Sequence, residues 1–354
     1  MQNQKVPNRV IVAPLNWGWG HATRCIPIIK ELINLGIKPV VASDGQALVF
    51  LQKEFPEIEF LELPSYNIRY GKQFKWSMFL NIPAILRGVY KEHQAIKVYI
   101  KAHKNSLLGM ISDNRLGVFS KHLPSVYITH QLSVKAGVGS FFVNKFHHYF
   151  IKKHKECWVP DEENSLLSGA LSRSLKIKIH YIGVLSRFKK QEIPVAYELL
   201  ILLSGIEYQR NELELKINKA LLTYKKPVLV VRGTFEPCKY MYPKNCTVVN
   251  YLLSKDLETA LNSSRRVVSR SGYSSVMDLA TLNKEVLFVP TPGQTEQEYL
   301  ASYLKESGLA SFCTQKEFDV EFLQYKKTAQ WPVLTSNEQS LSLCIKTFFN
   351  LSLV

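Results

Sequence analysis

Short apolar runs alternate with stretches of helical spacing along most of the chain. Residues 9–15 (RVIVAPL) form an unbroken apolar run, the pattern of a strand covered on both faces. A glycine-containing turn follows, and residues 22–35 then place apolar side chains at helical spacing until Gly36 ends the pattern. Residues 38–42, 58–63, 107–112 and 125–129 read as further strands, and 46–55 as a helix. A polar stretch at 183–194 interrupts the series, which then restarts. Strands are expected at 198–203, 227–232, 247–251, 266–269 and 286–290. Helices are expected up to Leu222 and at 256–262, 274–282 and 296–306. Strand–helix alternation predicts parallel sheets with crossover helices. We therefore expect an α/β chain of two Rossmann-like, doubly wound domains, residues 1–183 and 184–354. Folds of this kind bind ligands in the crevice at the carboxyl ends of their strands.

Composition agrees with two packed cores: the chain has 354 residues, 46% of them hydrophobic. Its 21% charged and 11% aromatic content excludes a disordered chain. The formal charge of +16 calls for an anionic partner: nucleic acid, a phosphorylated small molecule or an acidic membrane. That charge is uneven. Residues 1–185 carry 24 Lys and Arg against 12 Asp and Glu, and the remainder carries 21 against 17. The six cysteines form neither a CxxC pair nor a zinc-type cluster with histidine. The first nine residues are polar, unlike a secretory signal, and no apolar run reaches 18 residues. A cytoplasmic chain with reduced thiols is expected, with peripheral membrane attachment left open.

Three strand–helix junctions carry candidate chemistry. In residues 16–24 (NWGWGHATR), Gly18 and Gly20 let backbone approach a ligand, and His21 stands at a helix start. A neutral His there can take a proton near working pH; the alternative is a glycine-rich turn with a structural histidine. Asp113 closes the strand at 107–112 and is either the group that orients His21 or a helix cap. In residues 269–278 (SRSGYSSVMD), small hydroxyls and N–H groups at a helix start suit a diphosphate. Asp278, one turn further on, can accept from both hydroxyls of a ribose, or it simply complements the helix dipole. In residues 290–299 (PTPGQTEQEY), Gln297 offers both donor and acceptor to sugar hydroxyls, and is otherwise an ordinary surface residue.

At these motifs the sequence resembles the GT-B glycosyltransferases, and within them glycosyltransferase family 28, best known for the lipid-linked N-acetylglucosaminyltransferase of peptidoglycan synthesis. The C-terminal run from 247 to 301 carries the resemblance most specifically. The resemblance implies two domains facing a central cleft, an N-terminal acceptor domain and a C-terminal nucleotide-sugar domain. It implies that the backbone of Leu252 holds uracil. Gly272, Tyr273, Ser274 and Ser275 would cradle the diphosphate, Asp278 would bind ribose, and Gln297 would touch the donor sugar. Ser204 and Gly205 correspond to a glycine-rich loop, and Arg187 to a linker arginine that meets phosphate. In the N-terminal motif, His21 would deprotonate the acceptor hydroxyl, with Asp113 beside it and Gly18, Gly20 and Arg24 in the acceptor loop. The implied reaction is an inverting transfer of a hexose or N-acetylhexosamine from a UDP-sugar to a hydroxyl acceptor, lipid-linked or part of a cell-envelope glycan. No metal or other cofactor is expected, since the chain lacks an Asp-x-Asp motif.

Residues 69–93 and 141–155 interleave aromatics with basic side chains, and 101–155 holds nine Lys and Arg against the single acid Asp113. Such segments suit an anionic membrane on the inner face of the cell, or are ordinary helices with solvated lysines. Aromatic–basic interleaving also suits single-stranded nucleic acid, but no nucleic-acid motif accompanies it. Two other readings stay open. A GT-B-like sugar-nucleotide epimerase or hydrolase would consume donor without acceptor, and a non-catalytic binding protein would consume none.

Overall fold

The structure is a computed structural model and describes residues 7–66, 82–132, 140–164, 166–172, 179–324, 331–334 and 337–351. The chain divides into two compact units, residues 1–185 with 335–354, and residues 186–334.

The first unit opens with β1 (Arg9–Pro14), α1 (Gly20–Asn34), β2 (Lys38–Ser43), α2 (Gly45–Glu54) and β3 (Glu59–Glu62). It continues with α3 (Ile82–His103), β4 (Leu107–Asp113), β5 (Ser125–Ile128), α4 (Ser140–Ile151), β6 (Glu156–Val159) and β7 (Ile179–Tyr181). The described strands run in the order β3-β2-β1-β4-β5-β6-β7. Every pairing is parallel. The continuous apolar run of β1 has its reason here: Val10, Ile11, Val12 and Ala13 are fully buried in the middle of the sheet. On one face Ile11, Ala13, Val40 and Met110 pack against Ile96 and Ile100 of α3. The strand order reverses between β1 and β4, so the loops after these two neighbours part to opposite faces and leave a crevice at their carboxyl ends.

The second unit repeats the scheme. It holds β8 (Tyr197–Leu202), α5 (Glu207–Leu221), β9 (Val228–Val231), β10 (Cys246–Val249), α6 (Ser254–Asn262) and β11 (Ser264–Ser269). After these come α7 (Tyr273–Thr281), β12 (Glu285–Phe288), α8 (Thr295–Glu306), β13 (Ser311–Phe312) and the short α9 (Val320–Gln324). The order is β10-β9-β8-β11-β12-β13, again all parallel, with the reversal between β8 and β11.

Two expectations need correction. The second domain does not run on to residue 354; it ends at Leu334, and the chain returns to the first unit. The returning helix α10 (Asn337–Phe348) buries Leu341, Ile345 and Phe348, which share one face at helical spacing. Phe348 meets Trp158 edge-on at 5.8 Å, and Lys155 lies 5.5 Å over the Phe348 ring. Next to it, Phe349 packs against the backbone at Gly109, where an added Cβ would come within 2.8 Å of its ring. The other correction concerns β6, β7 and β13, which the periodicity did not reveal. At three and two residues, β7 and β13 are too short for alternation to separate them from loop.

Candidate active site

In the first unit the sheet register places Pro14 beside Asp113, so the β1–α1 loop and the end of β4 start side by side. Gly18 turns the loop with φ of +73°, a backbone region that suits glycine. His21 then lies in the first turn of α1, nearly buried, with its Nδ1 3.2 Å from Asp113 Oδ2. The two residues expected to form a dyad, 92 positions apart, are thus in contact.

A third residue dominates the pair. Arg24, one turn further along α1, grips both carboxylate oxygens of fully buried Asp113: Nε donates to Oδ2 at 2.7 Å and Nη2 to Oδ1. Arg24 Nη2 is also 2.8 Å from His21 Nδ1, and its Nη1 is 2.9 Å from Nδ1 of His130, which lies just beyond β5. The Cys25 thiol approaches Asp113 Oδ2 at 3.6 Å. Burial alone would raise the Asp113 carboxyl, but the Arg24 guanidinium outweighs it and holds the group below the ordinary carboxylate range. For His21, burial lowers the imidazole from its usual 6.5; Asp113 opposes this and Arg24 adds to it. The ring is therefore neutral at physiological pH, as proton abstraction requires.

The loop itself is pinned from below. Asn16 donates to Asp44 Oδ2 at 3.1 Å and accepts from the Ala47 N–H at 3.2 Å. Asp44 in turn accepts from buried Arg115 at 2.7 Å, and Arg115 also pairs with Glu92 of α3. Tyr66 donates to Glu92 at 2.6 Å. Each charge in this buried network has a partner of opposite sign, which offsets the cost of removing it from water. A cavity of about 570 Å³ opens beside the loop, lined by Asn16, Asp44, Glu62 and Ser65 among others.

In the second unit, Leu202 of β8 pairs with Ser269 of β11, and Ser269 with Phe288 of β12, so three loops emerge together. Ser204 and Gly205 lie in the first, and Gly205 has φ of +100°. Gly272 caps α7, the next helix start. Its φ of −68° suits any residue, and an added Cβ would meet nothing within 4 Å. Neither backbone nor packing demands glycine there, and its missing side chain leaves room for a close-approaching ligand. Ser274 and Ser275 are half-buried in the first turn of α7, whereas the side chain of Tyr273 is buried in the core. A donor can meet Tyr273 only through its backbone. Leu252 stands three residues beyond the end of β10.

Asp278 and Arg187 lie together. Asp278 Oδ1 accepts from Ser186 Oγ at 2.8 Å, and Oδ2 lies 3.7 Å from Arg187 Nε. Burial pushes the Asp278 carboxyl up to about 6, against the pull of Arg187 and Ser186. Gln297, in the first turn of α8, is engaged by the loop before it: Oε1 accepts from the Thr291 N–H at 2.9 Å and Nε2 donates to Gln294. Buried Arg270, which the sequence reading passed over, binds four oxygens, those of Val289, Pro290, Gln209 and the Gln315 side chain. From the loop after β11 it ties together the loop after β12, the first turn of α5 and the segment beyond β13. His130 was also passed over; its position just past a strand end was the available signal.

Residues 209–330 match the glycosyltransferase family 28 C-terminal domain. The chain is 23% identical over 343 residues to an uncharacterized glycosyltransferase of Methanosarcina mazei, covering 87% of this chain and 86% of that one. It is 24% identical over 310 residues to a Sulfurihydrogenibium UDP-N-acetylglucosamine--N-acetylmuramyl-(pentapeptide) pyrophosphoryl-undecaprenol N-acetylglucosamine transferase, covering 84% and 82%. Among solved structures, the glycosyltransferase of kitacinnamycin superposes with a TM-score of 0.65 at 14% identity, covering 97% of this chain and 96% of that one. Acinetobacter baumannii MurG does so with a TM-score of 0.53 at 14% identity, covering 95% and 94%. The chain is a glycosyltransferase with the GT-B fold, and its residues 209–330 are similar to the family 28 C-terminal domain. The family match of this glycosyltransferase spans Leu252, Gly272, Asp278 and Gln297.

Proposed function

We propose that this glycosyltransferase moves a hexose or N-acetylhexosamine from a UDP-sugar to a hydroxyl of a lipid-linked acceptor, with inversion at the anomeric carbon. The observation that carries the donor half is the family 28 match over 209–330, which contains the α7 helix start with its open Gly272. The names of relatives such as the Sulfurihydrogenibium protein carry a UDP-sugar donor and an undecaprenyl acceptor, and we bring both classes to this chain.

In this reading the acceptor oxygen attacks C1 as the bond from C1 to the diphosphate oxygen breaks. The hydroxyl proton passes to Nε2 of His21, and UDP leaves with the bonding electrons. N–H groups at the start of α7 stabilise the charge growing on the diphosphate. Asp278 accepts from the ribose, for which Ser186 and Arg187 must yield at least one carboxylate oxygen. Exposed apolar and basic side chains on α3 (Leu86, Arg87, Tyr90, Lys91) and near α4 (Phe146, Tyr149, Lys153) support a lipid-borne acceptor. Residues 69–81 of the first basic–aromatic segment, and the side chains of 141–143 in the second, lie outside the described residues. Among the described residues no helix is long and apolar enough to cross a membrane.

A thermal-shift panel of nucleotide sugars tests the donor, followed by mass spectrometry of products formed with membrane extract. A ligand at 100 times its Kd adds about 2.7 kcal/mol, a shift of several degrees. Stabilisation by UDP-sugars and a glycosylated lipid product are expected. Stabilisation by no nucleotide sugar, or donor consumed to free sugar without acceptor, would sink the proposal.

A further inference from the structure

The contact between His21 and Asp113 has a competitor whose chemistry decides the state of the ring. Arg24 Nη2 and His21 Nδ1 are 2.8 Å apart, and two nitrogens at that distance share one proton. A guanidinium has five donors, no acceptor, and does not lose its proton in proteins. The shared proton is therefore Arg24's, and Nδ1 is the acceptor. A neutral imidazole whose Nδ1 carries a lone pair has its proton on Nε2. The longer 3.2 Å contact to Asp113 needs the opposite tautomer, because an ionised carboxylate can only accept. The two contacts thus exclude one another. Asp113 already receives the Nε and Nη2 donors of Arg24 and does not depend on His21.

We propose that Arg24 is a positioning residue that holds resting His21 as the Nε2–H tautomer, so that the ring becomes a base only when Arg24 Nη2 leaves Nδ1 and Nδ1–H turns to Asp113. The change conserves charge: Nε2 gives its proton to water and Nδ1 takes one from water. His130, which faces Arg24 Nη1 at 2.9 Å, is the neighbour toward which the guanidinium can lean. The groups facing His21 are Arg24 from α1, Asp113 from β4 and His130 from beyond β5. Of these, Arg24 is the fixed cation. Its charge also opposes protonation of the ring, in agreement with the lowered imidazole. Use of the switch in catalysis rests on the proposed transfer reaction; the resting tautomer does not.

Long-range proton–nitrogen NMR of the full chain labelled with 15N-histidine, without ligands, reads the tautomer directly. The His21 signals are assigned by their loss in His21→Gln. At pH 7 the wild type is expected to carry the proton on Nε2 alone. A ring protonated on Nδ1 overturns the proposal, and because this is measured on the unaltered protein it decides even if variants fold poorly. In Arg24→Met, Nδ1 is expected to become protonated and the His21 titration to move up. A folded Arg24→Met protein with Nε2–H unchanged also overturns it. If the donor panel fails while the tautomer is as expected, the reaction was misread and the Arg24 proposal stands.

Discussion

Replacing each member of the His21–Asp113 pair should give opposite phenotypes, because Arg24 belongs to only one of them structurally. Asp113→Asn removes the carboxylate that neutralises a guanidinium whose side chain is 2% exposed. Breaking one partner out of a buried ion pair costs about 3–5 kcal/mol. For a unit of about 200 residues, 1 kcal/mol moves the melting temperature by about 2–4 °C, so a fall of roughly 10 °C is expected. Removing His21 breaks no ion pair that the fold needs: Arg24 and Asp113 remain bonded to each other. His21→Ala should cost only about 1 kcal/mol of stability. The same change should lower kcat by a factor of about 10² to 10⁴, or roughly 3–5 kcal/mol of barrier. Calorimetry of both variants, with UDP release at saturating donor and acceptor, separates the effects. The pH dependence supplies a further check. A carboxyl held below its ordinary pKa contributes stability that is present above about pH 4 and lost as the pH falls further. The stability gap between wild type and Asp113→Asn should therefore close below about pH 4. A His21→Ala protein that melts as early as Asp113→Asn, or an Asp113→Asn protein that melts like wild type, would refute the reasoning.

Gly272→Ala should leave stability unchanged or raise it by about 0.4–1 kcal/mol, yet raise the donor KM about tenfold or more; an unchanged KM would remove the diphosphate from this helix start. The donor KM should rise as the pH falls through about 6, where Asp278 becomes protonated and stops accepting two ribose hydroxyls. That limb should vanish in Asp278→Asn. The sign for stability is the reverse: the folded pKa lies above the unfolded one, so protonated Asp278 favours the fold and stability declines from about pH 4 to 6. Flotation with vesicles of acidic lipid should carry the protein upward, and neutral vesicles or high salt should not; absence from both fractions counts against a membrane-borne acceptor.

The sequence by itself determined the local order of this glycosyltransferase. An unbroken apolar run such as β1 has few ways to hide both faces other than the middle of a parallel sheet. Glycines and a histidine where a strand gives way to a helix marked the crevice, since period and turn chemistry are properties of neighbouring residues. What only the tertiary structure decided involves residues far apart in the chain. Arg24 read as a loop residue until the register of β1 on β4 brought Asp113, 89 positions away, into its fork. Tyr273 looked like part of a ligand loop, but the turn of α7 points its ring into the core. The last helix carried apolar residues at ordinary spacing, and nothing in that spacing named the sheet it covers. Helical and strand periods come from short-range sterics and burial of one face. The choice of partner for each buried charge and each apolar face comes from which strands lie side by side.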